Sequence, residues 1–220
     1  MTSRHGMHPP KGGSTHDYKR LDKAAINRLP LFRYDGPVSV VRDRGGLKKA
    51  LSALEEETLL GFDTETRPAF KKGVRHPPAL LQLAGAGRVY VFQLGAVGFP
   101  PSLRALLSDA SRIKAGIAHG HDVRELRALA DFQPAGFVEL ETLAKRAGLK
   151  NFGLRGLAAA LLGVRISKNA RLSNWSAARL TPEQIAYAAT DAWVSRELYV
   201  RLVQGGAADQ ALAGAGPVAV

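Results

Sequence analysis

The chain has 220 residues, enough for one well-buried core and too few for two ordinary domains. With 45% hydrophobic and 23% charged residues it is neither disordered nor fibrous, and the lack of cysteine excludes disulfides, thiolate metal sites and a cysteine nucleophile. Its 31 Lys and Arg against 19 Asp and Glu give a net charge of +12, a field that attracts polyanions and nominates nucleic acid as partner without naming a reaction.

Residues 1–29 are polar and basic, with Pro9, Pro10, Gly12 and Gly13, and read as a flexible basic arm holding at most a short helix near Lys23–Arg28. Met1–Lys11 lacks the apolar run of a secretory signal, and no stretch approaches the roughly 20 apolar residues of a membrane span. A cytoplasmic protein with no membrane partner is expected. The folded part is expected as one domain over 30–204, followed by a disordered Gly/Ala-rich tail over 205–220.

Within the domain, Val38–Arg42 predicts a strand and Leu47–Glu56 an amphipathic helix. Leu59–Thr64 is an apolar strand ending in acids. Ala79–Ala84 and Arg88–Gln93, parted by Gly85-Ala86-Gly87, predict a hairpin. A helix over Leu103–Leu107, a buried strand over Ile113–Ala118, a helix over Asp122–Ala130 and a last strand over Phe137–Leu140 follow. Helices then dominate: Leu140–Ala147, Leu154–Leu162 and Pro182–Val203, the last with Thr181 as N-cap, Pro182 at N1 and Gln184 completing a capping box. A hairpin followed by strand–helix units predicts an α/β fold, a mixed sheet flanked by helices.

Asp63 and Glu65 stand two residues apart on a strand, so both side chains leave the same face. Like charges side by side repel and lose hydration, and a bound divalent cation relieves both costs. A solvated strand end is the competing reading. Asp122 lies near a helix N-terminus, where it could simply cap the helix. Asp191 stands one turn after Tyr187 on one helix face, with the small residues Ala188, Ala189 and Ala192 beside it.

In order and spacing, Phe62-Asp63-Thr64-Glu65, then Lys114-Ala115-Gly116-Ile117 leading to Asp122, then Tyr187-Ala188-Ala189-Thr190-Asp191 resemble the three motifs of the DEDDy branch of DnaQ-like 3′–5′ exonucleases. That family includes ribonuclease D and the exonuclease domain of the Werner syndrome helicase. Ala79-Leu80-Leu81-Gln82-Leu83 and Leu172-Ser173-Asn174-Trp175-Ser176 are shared as well. The resemblance implies a ribonuclease H-like fold and release of 5′-mononucleotides from the single-stranded 3′ ends of DNA or RNA. It implies two divalent cations, Mg²⁺ or Mn²⁺, on Asp63, Glu65, Asp122 and Asp191, with Tyr187 orienting the attacking water. His119 and His121, beside the second motif, are not expected ligands.

Substrate contacts are expected from Lys71, Lys72 and Arg75 after the first motif, and from Arg165, Lys168 and Arg171 before Asn174-Trp175. A solvated surface face is the competing reading of each cluster. Phe62, Thr64 and Leu83 are further candidates for contact with the terminal nucleotide, strand-core packing being the rival fate of Phe62 and Leu83. Rival functions are an exoribonuclease for RNA ends or short oligoribonucleotides, a ribonuclease H-like endonuclease, and a nucleic-acid-binding module without turnover.

Overall fold

The computed structural model describes residues 19–71 and 73–204; the expected tail and most of the expected arm lie outside the described residues. In chain order the elements are α1 (Lys23–Arg28), β1 (Leu31–Phe32), β2 (Val38–Val41), α2 (Arg44–Leu54), β3 (Leu59–Thr66), β4 (Pro78–Ala84) and β5 (Val89–Gln93). Then come α3 (Leu94–Val97), α4 (Pro101–Ser108), β6 (Ile113–Gly116), α5 (His119–Leu129), β7 (Phe137–Glu139) and α6 (Leu140–Arg146). After them stand α7 (Gly153–Leu157), which widens into a π turn over Ala158–Leu162, then β8 (Arg165–Ile166) and the long α8 (Pro182–Gln204).

Six strands form a mixed sheet in the order β2-β5-β4-β3-β6-β7. The antiparallel hairpin β4–β5 extends β3, while β6 and β7 add parallel to its other side through helical crossovers. The expected hairpin and mixed sheet are thus present, with β3 at the centre.

Alternation along β3 sends its residues into two different layers. Leu60 and Phe62 enter an oily layer with Leu81, Leu83 and Phe92 of the hairpin, roofed by Leu54 of α2, Leu103 and Leu107 of α4 and Leu126 of α5. The opposite face of the hairpin carries Leu80, Ala84, Val89 and Val91, packed against Ala188, Ala189 and Ala192 of α8 and the buried Trp175. A third cluster, built from α6, α7 and the far end of α8, covers β6.

Helix α8 starts as its sequence dictates. The Thr181 hydroxyl accepts from the Gln184 amide, and the Gln184 side chain accepts from the Thr181 amide, at 3.2 and 2.9 Å. That reciprocal pair satisfies two of the donors left open at a helix start. The Asn174-Trp175 segment is pinned beside it: Gln184 Nε2 donates to the Asn174 carbonyl and Gln93 Nε2 to the Ala177 carbonyl.

The short helix expected near Lys23–Arg28 is present as α1, and the segment that carries it is held more closely than a flexible arm would be. From residue 19 onward it is docked on the domain: Asn151 donates to the Leu21 carbonyl and accepts from the Leu21 amide. Asp22 caps α1 by accepting from Ala25. Strand β1 pairs in parallel with β8, and Phe32 and Tyr34 lie against Trp193 of α8, at ring-centroid distances of 5.0 and 5.7 Å. Two-residue strands are too short to carry a hydrophobic period, which is why neither β1 nor β8 is foreshadowed by pattern.

Candidate active site

Three elements bring the acids together. Strand β3 presents Asp63 and Glu65 on the face that α8 crosses, and α8 presents Tyr187 and Asp191 one turn apart. The crossing is close because both backbones are bare at the contact. A Cβ built on Gly61 would collide with the Ala192 carbonyl oxygen, so only glycine fits at this point of the strand. Alanines 188, 189 and 192 provide the small surface on the helix side. Helix α5 brings Asp122 from the other side of the strand, where its carboxylate accepts a 2.8 Å hydrogen bond from the Thr64 hydroxyl. The turn before α5 runs through Ala118, a non-glycine residue in the left-handed region at φ 53°.

Asp63, Glu65 and Asp191 each offer an oxygen within 4.8 Å of the others. Burial raises all three proton affinities, and mutual repulsion raises those of Asp63 and Glu65 further. Asp63 is pushed well above the usual carboxylate range by burial and then by Asp191, Glu65 and Asp122. Glu65 is pushed up to about 9 by burial, Asp191 and Asp122, with Arg171 opposing. Asp191 reaches about 7 through burial, a hydrogen bond from Tyr187 opposing. Burial also raises Asp122, and burial together with the same acids holds the Tyr187 phenol protonated. Without a counter-charge this is an expensive arrangement. Asp191 Oδ1 is buried with no hydrogen-bond partner. Converging hard oxygens, one of them orphaned, fit a divalent cation.

Asp122 is near enough to raise Asp63 and Glu65 electrostatically, yet its oxygens fall outside the tight triplet of Asp63, Glu65 and Asp191. Thr64, expected at the substrate, donates its hydroxyl to Asp122. Phe62 and Leu83 are corrected outright: they are 1% and 0% exposed, and Phe62 packs edge-on against Phe137. Both side chains belong to the core. Alternation already implies this, since Phe62 precedes Asp63 on a strand and must face the other way, and Leu83 pairs with it.

The two basic clusters fare differently. Lys71 and Arg75 are exposed in the β3–β4 loop, and Lys72 lies outside the described residues. Lys168 and Arg171 line a cavity of about 910 Å³ together with Tyr187 and Asp191. Arg165 does not line it; its Nε donates to the Leu29 carbonyl, fastening β8 to the N-terminal segment. Trp175 is fully buried beside Tyr187 and is an anchor, not a platform. His119 sits against Phe137 and Glu139, while the exposed His121 faces Asp122. Sequence reasoning missed Gly61 as the contact that sets the helix–strand distance, although a glycine inside an apolar strand is itself a sign of close backbone approach.

Comparison with known proteins agrees with this geometry. A family model described as 3′–5′ exonuclease matches residues 38–205. The chain is 34% identical over 200 residues to the mouse bifunctional 3′–5′ exonuclease/ATP-dependent helicase WRN, covering 86% of this chain and 14% of the mouse protein. It is 33% identical over 162 residues to ribonuclease D of Gluconacetobacter diazotrophicus, covering 72% of this chain and 40% of that protein. The chain therefore spans well under two thirds of the length of either relative. The crystal structure of the Aedes aegypti Nibbler EXO domain shares the ribonuclease H-like fold, with a TM-score of 0.70 at 21% identity over 88% of this chain and 94% of that one. Matched over nearly all of its folded region, the chain belongs to the 3′–5′ exonuclease family.

Proposed function

We propose that the chain hydrolyses phosphodiester bonds from the 3′ end of a DNA or RNA strand, releasing 5′-mononucleotides. The observation that carries this reading is the meeting of Asp63, Glu65 and Asp191 beneath Tyr187, with a buried carboxylate oxygen left without a partner. Nothing structural requires four acids near one point, and a solvated surface pair would not be placed under a helix.

Asp63, Glu65 and Asp191 would hold divalent cations, two by the family resemblance, with Asp122 contributing through water. All-oxygen ligands in a chain without cysteine suit Mg²⁺ or Mn²⁺. When bound, such ions stabilise the charge that hydrolysis places on the phosphoryl and leaving oxygens and acidify a water. The protein's own groups do the rest. The Tyr187 hydroxyl, carried on the same helix face as Asp191, orients the attacking water against the terminal phosphodiester. Thr64 holds the Asp122 carboxylate in one orientation. Lys168 and Arg171, on the cavity wall shared with Tyr187 and Asp191, draw the phosphate backbone toward an otherwise anionic pocket.

The test is digestion of matched 5′-labelled DNA and RNA strands with Mg²⁺, Mn²⁺ or EDTA. A ladder shortening by single nucleotides from the 3′ end, abolished by EDTA, is expected, and the faster strand names the substrate. Cutting of a closed circle would mark an endonuclease instead. Metal-independent binding with no product would leave only a binding module.

A further inference from the structure

The cavity that reaches Tyr187 and Asp191 is larger than one nucleotide requires. At about 910 Å³ it lies near the top of the roughly 300–1,000 Å³ range of small-molecule sites. Away from the acids its walls are Arg20 and Lys23 of the N-terminal segment, Lys150 and the aromatic Phe152. Those three basic residues are exposed, and no ion pair among the described residues holds them. Asp22, the one acid among the described residues that line that side, is engaged as the α1 cap. Phe152 is 43% exposed, a large apolar ring left at the surface of a groove rimmed with cations, with Lys145 Nζ 5.4 Å from its centre on one face. The wall is also built rather than incidental. The paired bonds between Leu21 and Asn151, and a contact from Arg155 to Asn27, fix α1 against the start of α7.

We infer that this groove is an upstream strand site: single-stranded nucleic acid whose 3′ end lies at the acids runs between α1 and residues 150–155, with phosphates on Arg20, Lys23 and Lys150 and a base on Phe152. Cations along a groove track a phosphate backbone, and a free aromatic face stacks on any base without regard to sequence. The site rests on the exonuclease reading and deepens it. It predicts that the enzyme prefers strands several nucleotides long over dinucleotides, and that the segment before the matched family region is part of the substrate path.

The experiment measures kcat and KM for 5′-labelled single strands of two, four, eight and twelve nucleotides, in the wild type and in the Arg20→Glu/Lys23→Glu and Phe152→Leu variants. All three residues are at the surface, and Leu keeps the apolar bulk while removing the ring. Wild-type KM is expected to fall with length and then level off. The charge-reversal pair raises KM for the twelve-nucleotide strand by about tenfold or more, and lowers the slope of log KM against log salt by about 0.7 for each phosphate that is no longer neutralised. Phe152→Leu raises it by about fivefold or more, one stacked base being worth roughly 1–3 kcal/mol. Cleavage of the dinucleotide, too short to reach these residues, stays within about twofold. A KM independent of length in the wild type, or variants that treat all lengths as the wild type does, would overturn the strand site while leaving the exonuclease intact. A wild type that cleaves no length removes the exonuclease reading itself, and the site with it.

Discussion

The two faces of strand β3 do opposite work with the same eight residues. Toward α2, α4 and α5, Leu60 and Phe62 are fully buried among leucines, and burial of large apolar surface is what that layer contributes. Toward α8, Gly61, Asp63 and Glu65 meet alanines, a tyrosine and an aspartate. Here apolar volume is given up so that charged groups can approach one another. The first face chiefly stabilises the protein, with Thr64 at its end holding Asp122; the second supports chemistry at a cost in stability.

The largest expected effect comes from the acids. Asp63→Asn and Asp191→Asn each lower kcat by about 10³-fold or more, of the size seen when a transition-state contact is deleted in a preorganised site. In divalent-free buffer neither lowers the melting temperature, because each replaces a carboxyl whose ionised form burial disfavours with a neutral amide. Activity and melting curves, measured together, separate the two effects. A loss of stability on neutralising Asp63 would mean that the acids are structural.

Gly61→Ala comes next, and it should damage both properties. The new methyl meets the Ala192 carbonyl, so α8 must lift from β3 and carry Tyr187 and Asp191 away from Asp63 and Glu65. A stability loss of about 1–3 kcal/mol is expected, with kcat falling by about 10²-fold, since misplacement by an ångström is that costly. Phe62→Ala should cost about 3–5 kcal/mol, whereas Phe62→Leu should cost under about 1.5 kcal/mol and leave kcat and KM as they were. A change in KM for Phe62→Leu would restore that residue to the substrate.

The acids also predict a pH dependence of stability. Carboxyls in the unfolded chain titrate near about 4. In the fold Glu65 lies at about 9 and Asp191 at about 7, so between the unfolded and folded values the native state holds more protons than the unfolded one. Their contribution is fully present below about pH 4 and is lost as pH rises through the folded values. In EDTA the melting temperature should therefore decline from mildly acidic pH toward about pH 9. Saturating Mg²⁺ or Mn²⁺ should flatten the decline, since a cation that binds only the folded, ionised site stabilises it.

Much of this was legible in the sequence wherever a local rule decides the outcome. Alternation placed Asp63 and Glu65 together, the capping box marked the start of α8, and the turn from Tyr187 to Asp191 fixed a shared face. Local rules also placed Phe62 and Leu83 in the core, and reading them as base contacts set that alternation aside. What no local rule could supply was set by tertiary contact. The Thr64–Asp122 bond joins residues 58 positions apart, Arg165 meets Leu29 across 136, and the N-terminal segment owes its order to Asn151, 130 positions from Leu21. Composition suggested a flexible segment there because its polar residues are ordered by a partner, not by a core of their own.

The measurement that bears most directly on the central claim is calorimetric titration of Mn²⁺ into the wild type and into Asp63→Asn, Glu65→Gln and Asp191→Asn. Saturable binding accompanied by a rise in melting temperature is predicted for the wild type, with binding at least about tenfold weaker and the rise smaller in every variant. Equal binding by all four proteins would contradict the account, because the cation would then sit somewhere other than between β3 and α8.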